Sequence, residues 1–439
     1  MAVQTSEHGL DAVIVGGGFA GVTTARELTM RGRTAVLVEA RDRLGGRTYT
    51  ADHDGHAMEL GGTWIHPLQS HVWSEVKRYD IEVEIYPVPG GKQVLVSGGR
   101  AVDMDDADLA RGIEALGQFC APGAELFPAP YSDSGLWGPD PQGYGERSLR
   151  EQLASMQGPP EVRDFVEAMC CLATAGPLDQ CAVTEMLRGY AESECFTEQM
   201  LAALSSMKLV KGMRALIEAI AAQATLTDIR LNAPVRRVVQ TGDGVRVELQ
   251  SGADVAARTA VITLPMNVLN SVEFEPRLSD TKRAAATERH AGSGIKCYVH
   301  VKSDVGNVSV LAPETEVVNC VMTYDHGAAG SWLIVFVADH RRLPFGDVDA
   351  MQEALRPLLP GVEVDRIFGW DWVNDPLALG TWCVFRPGQL ARLLPELRRT
   401  EGRLFFASAD SAPVWRSFIT GAVASGYRAA REIDRYLAG

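Results

Sequence analysis

Two short apolar runs near the start of the chain flank a glycine-rich turn and an amphipathic stretch. Residues 11–15 and 34–38 are almost wholly apolar, which is typical of parallel strands buried on both faces. Between them, apolar positions at helical spacing predict a helix from Val22 to about Arg31. This order of strand, turn, helix and strand predicts an α/β fold built on an open parallel sheet.

The glycine-rich turn has the residues that a dinucleotide site needs. Gly16 permits a tight turn, Gly18 lets the backbone approach a pyrophosphate, and Gly21 lets helix and strand pack closely. The helix that follows points its amino end at the phosphates. Glu39 ends the second strand, where a carboxylate accepts hydrogen bonds from the ribose hydroxyls and repels a 2′-phosphate. The unit therefore predicts a Rossmann-type site for FAD or NAD rather than NADP.

The rest of the pattern predicts a second, inserted domain. Amphipathic helices are expected at 105–119 and 148–156, the latter opened by a capping box of Ser148 and Glu151. Short β segments at 235–239 and 245–249 and a buried strand from Ala260 return the chain to the first sheet. We therefore expect a discontinuous cofactor domain (8–85, 207–295 and 366–439) and a substrate or cap domain of α+β structure (86–206 and 296–365).

One later strand carries a lysine on one of its two alternating faces. Residues 295–301 alternate, with Lys296, Tyr298 and His300 on one face. On spacing alone, Lys296 is predicted to face solvent, because lysines are rarely fully buried.

Composition limits the partners. The formal net charge of −14 disfavours nucleic acid and anionic membrane surfaces. The N-terminus lacks the pattern of a secretory signal, and no apolar run is long enough to span a bilayer. The eight cysteines form no C-x-x-C pair, so a reduced cytoplasm is expected and no metal site is predicted.

Several segments together resemble the flavin amine oxidase family, which includes monoamine and polyamine oxidases. The segment 41–48 (RDRLGGRT) provides a second glycine turn beside an arginine, and 59–66 (ELGGTWIH) resembles the segment that runs beside the flavin ring. Near the C-terminus, 380–382 (GTW) and 415–418 (WRSF) resemble the segments that carry two aromatic residues over the flavin. The resemblance covers nearly the whole chain.

The resemblance implies a site around FAD. Trp382 and Phe418 are expected to form paired aromatic walls, and Lys296 to hold a water against flavin N5. Thr381 stands where monoamine oxidases have the cysteine that attaches the flavin, which implies non-covalent FAD. Thr381 and His66 are also expected to line the substrate site. The residues expected at the cofactor are Gly16, Gly18, Ala20, Gly21, Glu39, Arg41, Gly46, Arg47, Gly61, Gly62, Thr63, Trp64, Val235, Trp372, Asp410, Ile419 and Ala422.

The implied activity is oxidation of a primary or secondary amine with an aromatic, heterocyclic or bulky apolar group. Hydride passes to FAD, dioxygen reoxidises it to give hydrogen peroxide, and the imine hydrolyses. A homodimer is a possible assembly. The alternatives are a polyamine or diamine oxidase, an L-amino-acid oxidase, a dehydrogenase that avoids dioxygen and, least favoured, an FAD-binding protein without catalysis.

Overall fold

Segments from both ends and from the middle of the chain form a five-stranded parallel sheet. The computed structural model describes residues 9–86, 90–132 and 138–439, so residue 8, the predicted start of the cofactor domain, lies outside it. The strands within these ranges are β1 Ala12–Val15, β2 Ala35–Val38, β3 Thr50–His53, β4 His56–Glu59, β5 Val83–Ile85, β6 Lys92–Ser97, β7 Arg100–Asp103, β8 Met207–Leu209, β9 Thr227–Arg230, β10 Val235–Gln240, β11 Val245–Leu249, β12 Asp254–Ala257, β13 Thr259–Ile262, β14 Glu273–Glu275, β15 Ile295–Val301, β16 Val308–Leu311, β17 Cys320–Gly327, β18 Gly330–Val337, β19 Val364–Gly369 and β20 Leu404–Phe406.

The parallel sheet has the order β20-β13-β1-β2-β9, with β1 at its centre. All four residues of β1 are buried, as are those of β2 and β13, because helices cover one face of the sheet and the strands β10, β11 and β12 pack against the other. The helices within the described ranges are α1 Phe19–Thr29, α2 Ser70–Arg78, α3 Asp106–Cys120, α4 Gly123–Leu126, α5 Leu149–Ala154, α6 Pro160–Thr174, α7 Thr184–Glu192, α8 Thr197–Ser205, α9 Gly212–Ala222, α10 Asp280–Glu288, α11 Val348–Leu355, α12 Gln389–Arg398 and α13 Ile419–Ala438.

A second, seven-stranded sheet has the order β19-β15-β18-β17-β16-β6-β7. Its strand β15 pairs antiparallel with β18 and β19, so it lies inside the sheet, and all seven of its residues are buried. A smaller four-stranded sheet contains β12, β11, β10 and β14. The mixed α/β fold predicted from the sequence is therefore confirmed.

The structure corrects two details of the predicted elements. Helix α1 begins at Phe19, three residues before the predicted start. The part of the chain predicted to be mostly helical also supplies β6 and β7 to the second sheet. All four residues of β7 are exposed, so no apolar alternation marks that strand in the sequence.

The predicted domain boundaries cut through two strands. The boundary at 295/296 falls inside β15 and the one at 365/366 falls inside β19, and these strands pair with each other. Because a strand's backbone hydrogen bonds hold it in one sheet, we propose boundaries before Ile295 and after Gly369. The strands of the parallel sheet all fall in the three segments assigned to the cofactor domain, which supports the rest of that division.

Candidate active site

A cavity of about 370 Å³ opens where β1 and β2 end. Gly16 follows β1 and Glu39 follows β2, and both lie in its wall, as the strand–turn–helix pattern predicts. The residues expected at the cofactor that line it are Gly16, Gly18, Ala20, Glu39, Arg41, Gly46, Arg47, Gly61, Gly62, Val235, Trp372, Ile419 and Ala422. We refer to it as the cofactor cavity.

Close backbone packing shapes this cavity. A Cβ added to Gly21 would lie 2.0 Å from the carbonyl oxygen of Gly16, and one added to Gly61 would lie 2.1 Å from that of Arg47. Gly21 itself lies behind the cavity wall, where it allows α1 to pack against the turn. By contrast, a Cβ on Gly18 would meet only Gly46, at 4.0 Å, so this backbone is open to a ligand.

The Glu39 carboxylate is held in place by the backbone. It accepts a hydrogen bond from Gly17 N at 2.6 Å and another from Arg41 N at 2.9 Å. Each carboxylate oxygen keeps a further lone pair for a ribose hydroxyl. The cavity thus has an open glycine backbone and a fixed carboxylate, which fit the pyrophosphate and the ribose of FAD.

Arg47 reaches the cavity while its guanidinium is anchored behind it. It donates to Asp410 Oδ1 at 2.5 Å and to the carbonyl oxygen of Thr381 at 2.9 Å. Asp410 is buried and also accepts from Met266 N at 2.8 Å. Burial alone would raise the pKa of Asp410, but Arg47 and these hydrogen bonds hold it below its ordinary value. Asp410 therefore lies behind the wall, where it orients Arg47.

A second cavity of about 180 Å³ adjoins the first. We call it the substrate cavity. Thr63 and Trp64, both expected at the cofactor, lie in its wall. Both cavities share seven lining residues, which mark the junction between them: Gly61, Gly62, Lys296, Trp382, Ser417, Phe418 and Ile419.

The three residues expected to be catalytic all lie at this junction. The indole nitrogen of Trp382 donates to the carbonyl oxygen of Ala173 at 3.1 Å, which fixes the ring to the end of α6. Phe418 packs edge-on against Trp415, with ring centroids 5.4 Å apart. Thr381 lies in the wall of the cofactor cavity and not in that of the substrate cavity, contrary to the expectation that it lines the substrate site.

Lys296 is buried, so the solvent-facing placement predicted from spacing is wrong. The reason is that β15 is covered on both faces. Its ammonium donates to the carbonyl oxygens of Glu59 at 2.7 Å and Gly61 at 2.9 Å and to the hydroxyl of Thr63. Burial lowers the pKa of Lys296 to about 7, against the opposing influence of the Glu59 carboxylate.

Two buried ion pairs in the substrate cavity were not predicted. Glu185 pairs with Arg416 at 2.6 Å, and Glu192 pairs with Arg188 at 3.1 Å. Glu185, Arg188 and Glu192 lie on one face of α7, at positions i, i+3 and i+7. In the sequence this spacing resembles a solvated helix face, and only the position of α7 beside residues 413–416 shows otherwise.

His66 lies outside the walls of both cavities, contrary to the expectation that it contacts substrate. Its Nδ1 accepts from Leu68 N at 3.3 Å, and its carbonyl oxygen accepts from Gln69 N at 2.9 Å. These two bonds belong to the turn that precedes α2.

A buried cluster of His290, Cys383 and Asp410 brings three potential ligand atoms within 4.8 Å of one another. Gly292 N donates to His290 Nδ1 at 3.1 Å, and burial lowers the pKa of this ring to about 3. A neutral ring that accepts at Nδ1 carries its proton on Nε2, the nitrogen without a partner in the described structure. That protonated nitrogen cannot bind a metal, so the cluster does not fit a cation.

Comparison with known proteins identifies the family. The sequence model described as "Flavin containing amine oxidoreductase" matches residues 19–434. The chain belongs to this family. FAD is therefore its cofactor, and it is an FAD-dependent enzyme that acts on amines. The described residues that line the cofactor cavity include no cysteine, histidine or tyrosine that could attach the flavin covalently.

Relatives of this flavin enzyme match it over almost its whole length. A pseudooxynicotine dehydrogenase from Pseudomonas sp is 38% identical over 98% of this chain and 87% of that protein. A nicotine dehydrogenase from Pseudomonas putida is 31% identical over 97% of this chain and 89% of that protein. Among solved structures, cyclohexylamine oxidase from Brevibacterium oxydans has the same fold, with a TM-score of 0.80, 20% identity and coverage of 98% and 100%.

Putrescine oxidase bound to putrescine has the same fold too, with a TM-score of 0.80, 22% identity and coverage of 97% and 98%. Within the described ranges of this chain, no helix is both long and apolar enough to cross a membrane.

Proposed function

We propose that this enzyme oxidises a primary or secondary amine that carries an aromatic, heterocyclic or bulky apolar group, at the junction of its two cavities. The observation that carries the proposal is the set of residues shared by both walls. A substrate in the smaller cavity can contact the cofactor only at these shared residues. Bound FAD supplies the chemistry by accepting hydride from the carbon next to the amine nitrogen.

Trp382 and Phe418 are proposed to orient the amine. Trp382 is fixed by its hydrogen bond to Ala173, and Phe418 by its contact with Trp415, so both rings are held before substrate arrives. Apolar rings exclude water and favour the neutral amine over its ammonium form, and only the neutral form has the free electron pair that assists oxidation.

The likeness to proteins named for pseudooxynicotine and nicotine supports an amine of the alkaloid type as substrate. Both relatives exceed 30% identity across almost the whole chain. A polyamine is less well supported, because the two carboxylates on α7 are already paired with arginines. An L-amino acid is also less well supported, because Arg416, the guanidinium considered for its carboxylate, is held by Glu185.

The test is direct. Purified enzyme with bound FAD is mixed anaerobically with alkaloid-type, phenylalkyl and polyamine substrates while flavin absorbance is followed. We expect the alkaloid-type and phenylalkyl amines to bleach the flavin and polyamines to leave it oxidised. A flavin that no amine bleaches would show that the proposal is wrong and would favour a non-catalytic FAD-binding protein.

The proposed electron acceptor is dioxygen, with Lys296 holding a water near the flavin. A second candidate is a dehydrogenase that passes electrons to another acceptor. Two observations favour it: both relatives are named dehydrogenases, and the three protons of the Lys296 ammonium already have acceptors in Glu59, Gly61 and Thr63. Mixing the reduced enzyme with aerated buffer distinguishes an oxidase from a dehydrogenase. Only in an oxidase is the flavin reoxidised by dioxygen within a turnover time, with release of hydrogen peroxide.

We also propose a cytoplasmic location and a homodimer. All eight cysteines are free and seven are buried, which supports a reducing compartment. Fractionation of cells would test the location, and light scattering of the purified enzyme would test the assembly.

A further inference from the structure

Helix α7 contributes five residues to the wall of the substrate cavity, and the residue at the centre of this helix face is a glycine. The five residues are Glu185, Met186, Arg188, Gly189 and Glu192. Three of the other four lie one helical turn from Gly189, at i−4, i−3 and i+3, so Gly189 lies in the middle of the face that α7 turns to the cavity. A side chain at this position would therefore extend into the cavity.

No close packing requires a glycine at this position. Apart from the backbone of its own helix, a Cβ added to Gly189 would have one atom of the described residues within 4 Å, Met200 Cε at 3.8 Å. At each of the other glycines of the described α-helices, the added Cβ would lie 2.0–2.7 Å from a neighbouring atom. These are Gly21, Gly112, Gly117, Gly123, Gly212, Gly421 and Gly426. Those glycines allow close packing, whereas Gly189 leaves a space.

Glycine inside a helix is unfavourable, because it loses more backbone freedom on folding than alanine does. Alanine would fit this space and would stabilise α7. Gly189 is partly exposed, although Arg188 and Glu192 on the same helix are buried. Gly189 thus keeps open a space in the cavity wall that the stability of the helix alone does not favour.

The residues around this space favour an aromatic ring. Met200 ends beside Gly189, Met186 lies one turn before it, and both methionines line the cavity. Methionine thioethers make favourable contacts with aromatic rings, and a flat ring can approach a helix backbone where no side chain intervenes. The nearby charges need no partner from the substrate, since Arg188 is already paired with Glu192.

Gly189 lies away from the junction where oxidation is proposed. It lines the substrate cavity but not the cofactor cavity, whereas Lys296, Trp382 and Phe418 line both. An amine whose reacting carbon is at the junction can therefore place its other end against α7.

We propose that the substrate carries an aromatic ring at its non-reacting end, and that this ring lies against the backbone of α7 at Gly189, beside Met186 and Met200. Gly189 is thereby a specificity-determining residue, which sets how long an arylalkyl amine the cavity accepts. This inference rests on the proposed amine oxidation in the same cavity.

The test compares benzylamine with 4-phenylbutylamine, in which the chain between ring and nitrogen is longer. We expect the wild-type holoenzyme to have the higher kcat/KM for 4-phenylbutylamine. Gly189→Leu fills the space, so the ratio of kcat/KM for the long amine to that for the short one should fall at least tenfold. Gly189→Ala should lower the ratio by a smaller factor. It should also raise Tm by about 1–2 °C, because alanine favours the helix, whereas a variant that merely damaged the fold would lower Tm.

Ala202→Leu is the matched control, because it adds similar bulk to α8 at a partly exposed residue outside both cavity walls. It should leave the ratio unchanged. The double variant Gly189→Leu/Met200→Ala tests the space itself. Met200 is the nearest side chain to the added carbon, so its truncation should raise the ratio again, at least threefold above that of Gly189→Leu. If Gly189→Leu does not fold, Gly189→Ala decides, since its methyl group meets no close neighbour.

Four results would overturn the inference: a wild-type enzyme that favours benzylamine, a ratio that both Gly189 variants leave unchanged, a loss that Met200→Ala does not relieve, or an equal loss in Ala202→Leu. In each of these the flavin is still reduced by an amine, so amine oxidation itself stands. A flavin that neither amine reduces would instead remove the proposed function.

Discussion

Arg416 Nη2 lies 2.6 Å from one carboxylate oxygen of Glu185 and 2.7 Å from the other, and both residues are buried or nearly so. This pair ties α7 to the segment that ends in Phe418. The segment is strained, because Trp415 and Ser417 have φ angles of 46° and 81°. Such angles cost about 1–3 kcal/mol each in residues other than glycine, so the ion pair holds a conformation that the chain would not adopt alone.

Breaking this pair should be strongly destabilising. Glu185→Ala leaves a buried guanidinium without its partner, and we expect the free energy of unfolding to fall by about 3–5 kcal/mol. Chemical denaturation of the holoenzyme measures this free energy of unfolding. Glu396→Ala is the control, because its pair with Arg399 is exposed and its loss should have little effect. Similar stabilities of the two variants would contradict the role given to the pair.

Lys296→Met should separate the two halves of the catalytic cycle. Methionine has a similar length but no N–H, so it cannot bind a water at the junction. If dioxygen is the acceptor, we expect reoxidation of the flavin to slow at least tenfold, with a smaller effect on its reduction by amine. Stopped-flow absorbance measures the two steps separately. Equal effects on both would remove the role proposed for Lys296.

Lys296 should also make stability depend on pH. Its pKa is lowered by burial from 10.5 to about 7, so between these values the unfolded chain binds a proton that the folded chain does not. This contribution to the stability of the folded state therefore rises with pH across that range, and below about pH 7 the cost of the buried charge is fully present. Relative to wild type, Lys296→Met should gain stability as the pH falls from 10 towards 7.

Denaturation curves at several pH values measure this difference. Lys302→Met is the control, because Lys302 is exposed just beyond the end of the same strand and its pKa is not lowered, so it should show no such trend between pH 7 and 10. A difference between Lys296→Met and wild type that is constant with pH would show that Lys296 keeps its ordinary pKa in the folded protein.

Gly61→Ala should impair FAD binding. The added methyl group would lie 2.1 Å from the carbonyl oxygen of Arg47 and 3.1 Å from the ring of Trp372, so both must move in the cofactor cavity. We expect purified protein to contain much less flavin, measured from the ratio of visible to ultraviolet absorbance. Gly242→Ala, where no atom lies within 4 Å of the added carbon, should retain full FAD content.

The cofactor cavity could be predicted from the sequence, because the backbone conformation of short segments determines its shape. The turn at Gly16, the close packing at Gly21 and the carboxylate at Glu39 are each required by short segments of chain, and the structure places them as the sequence suggests. The same holds for the capping box of Ser148 and Glu151. These features depend on residues that are close to one another in the sequence, so the sequence pattern is enough to predict them.

The substrate half could not be predicted in this way. Lys296 alternates like a solvent-facing residue, and only the burial of β15 within the second sheet shows that it is enclosed. The charges of α7 look like a solvated face until residues 413–416 pack against them. Contacts between residues more than 200 positions apart form the wall of the substrate cavity. No pattern within a short segment of sequence predicts such contacts.

None of the residues of α7 lies in the wall of the cofactor cavity, although this helix contributes five residues to the wall of the substrate cavity. The side chains of α7 can therefore be changed without altering the wall of the cofactor cavity. Diversification of α7, with its partners at Pro413 to Arg416 varied alongside it, offers a route to enzymes with new amine preferences that keep an unaltered redox centre.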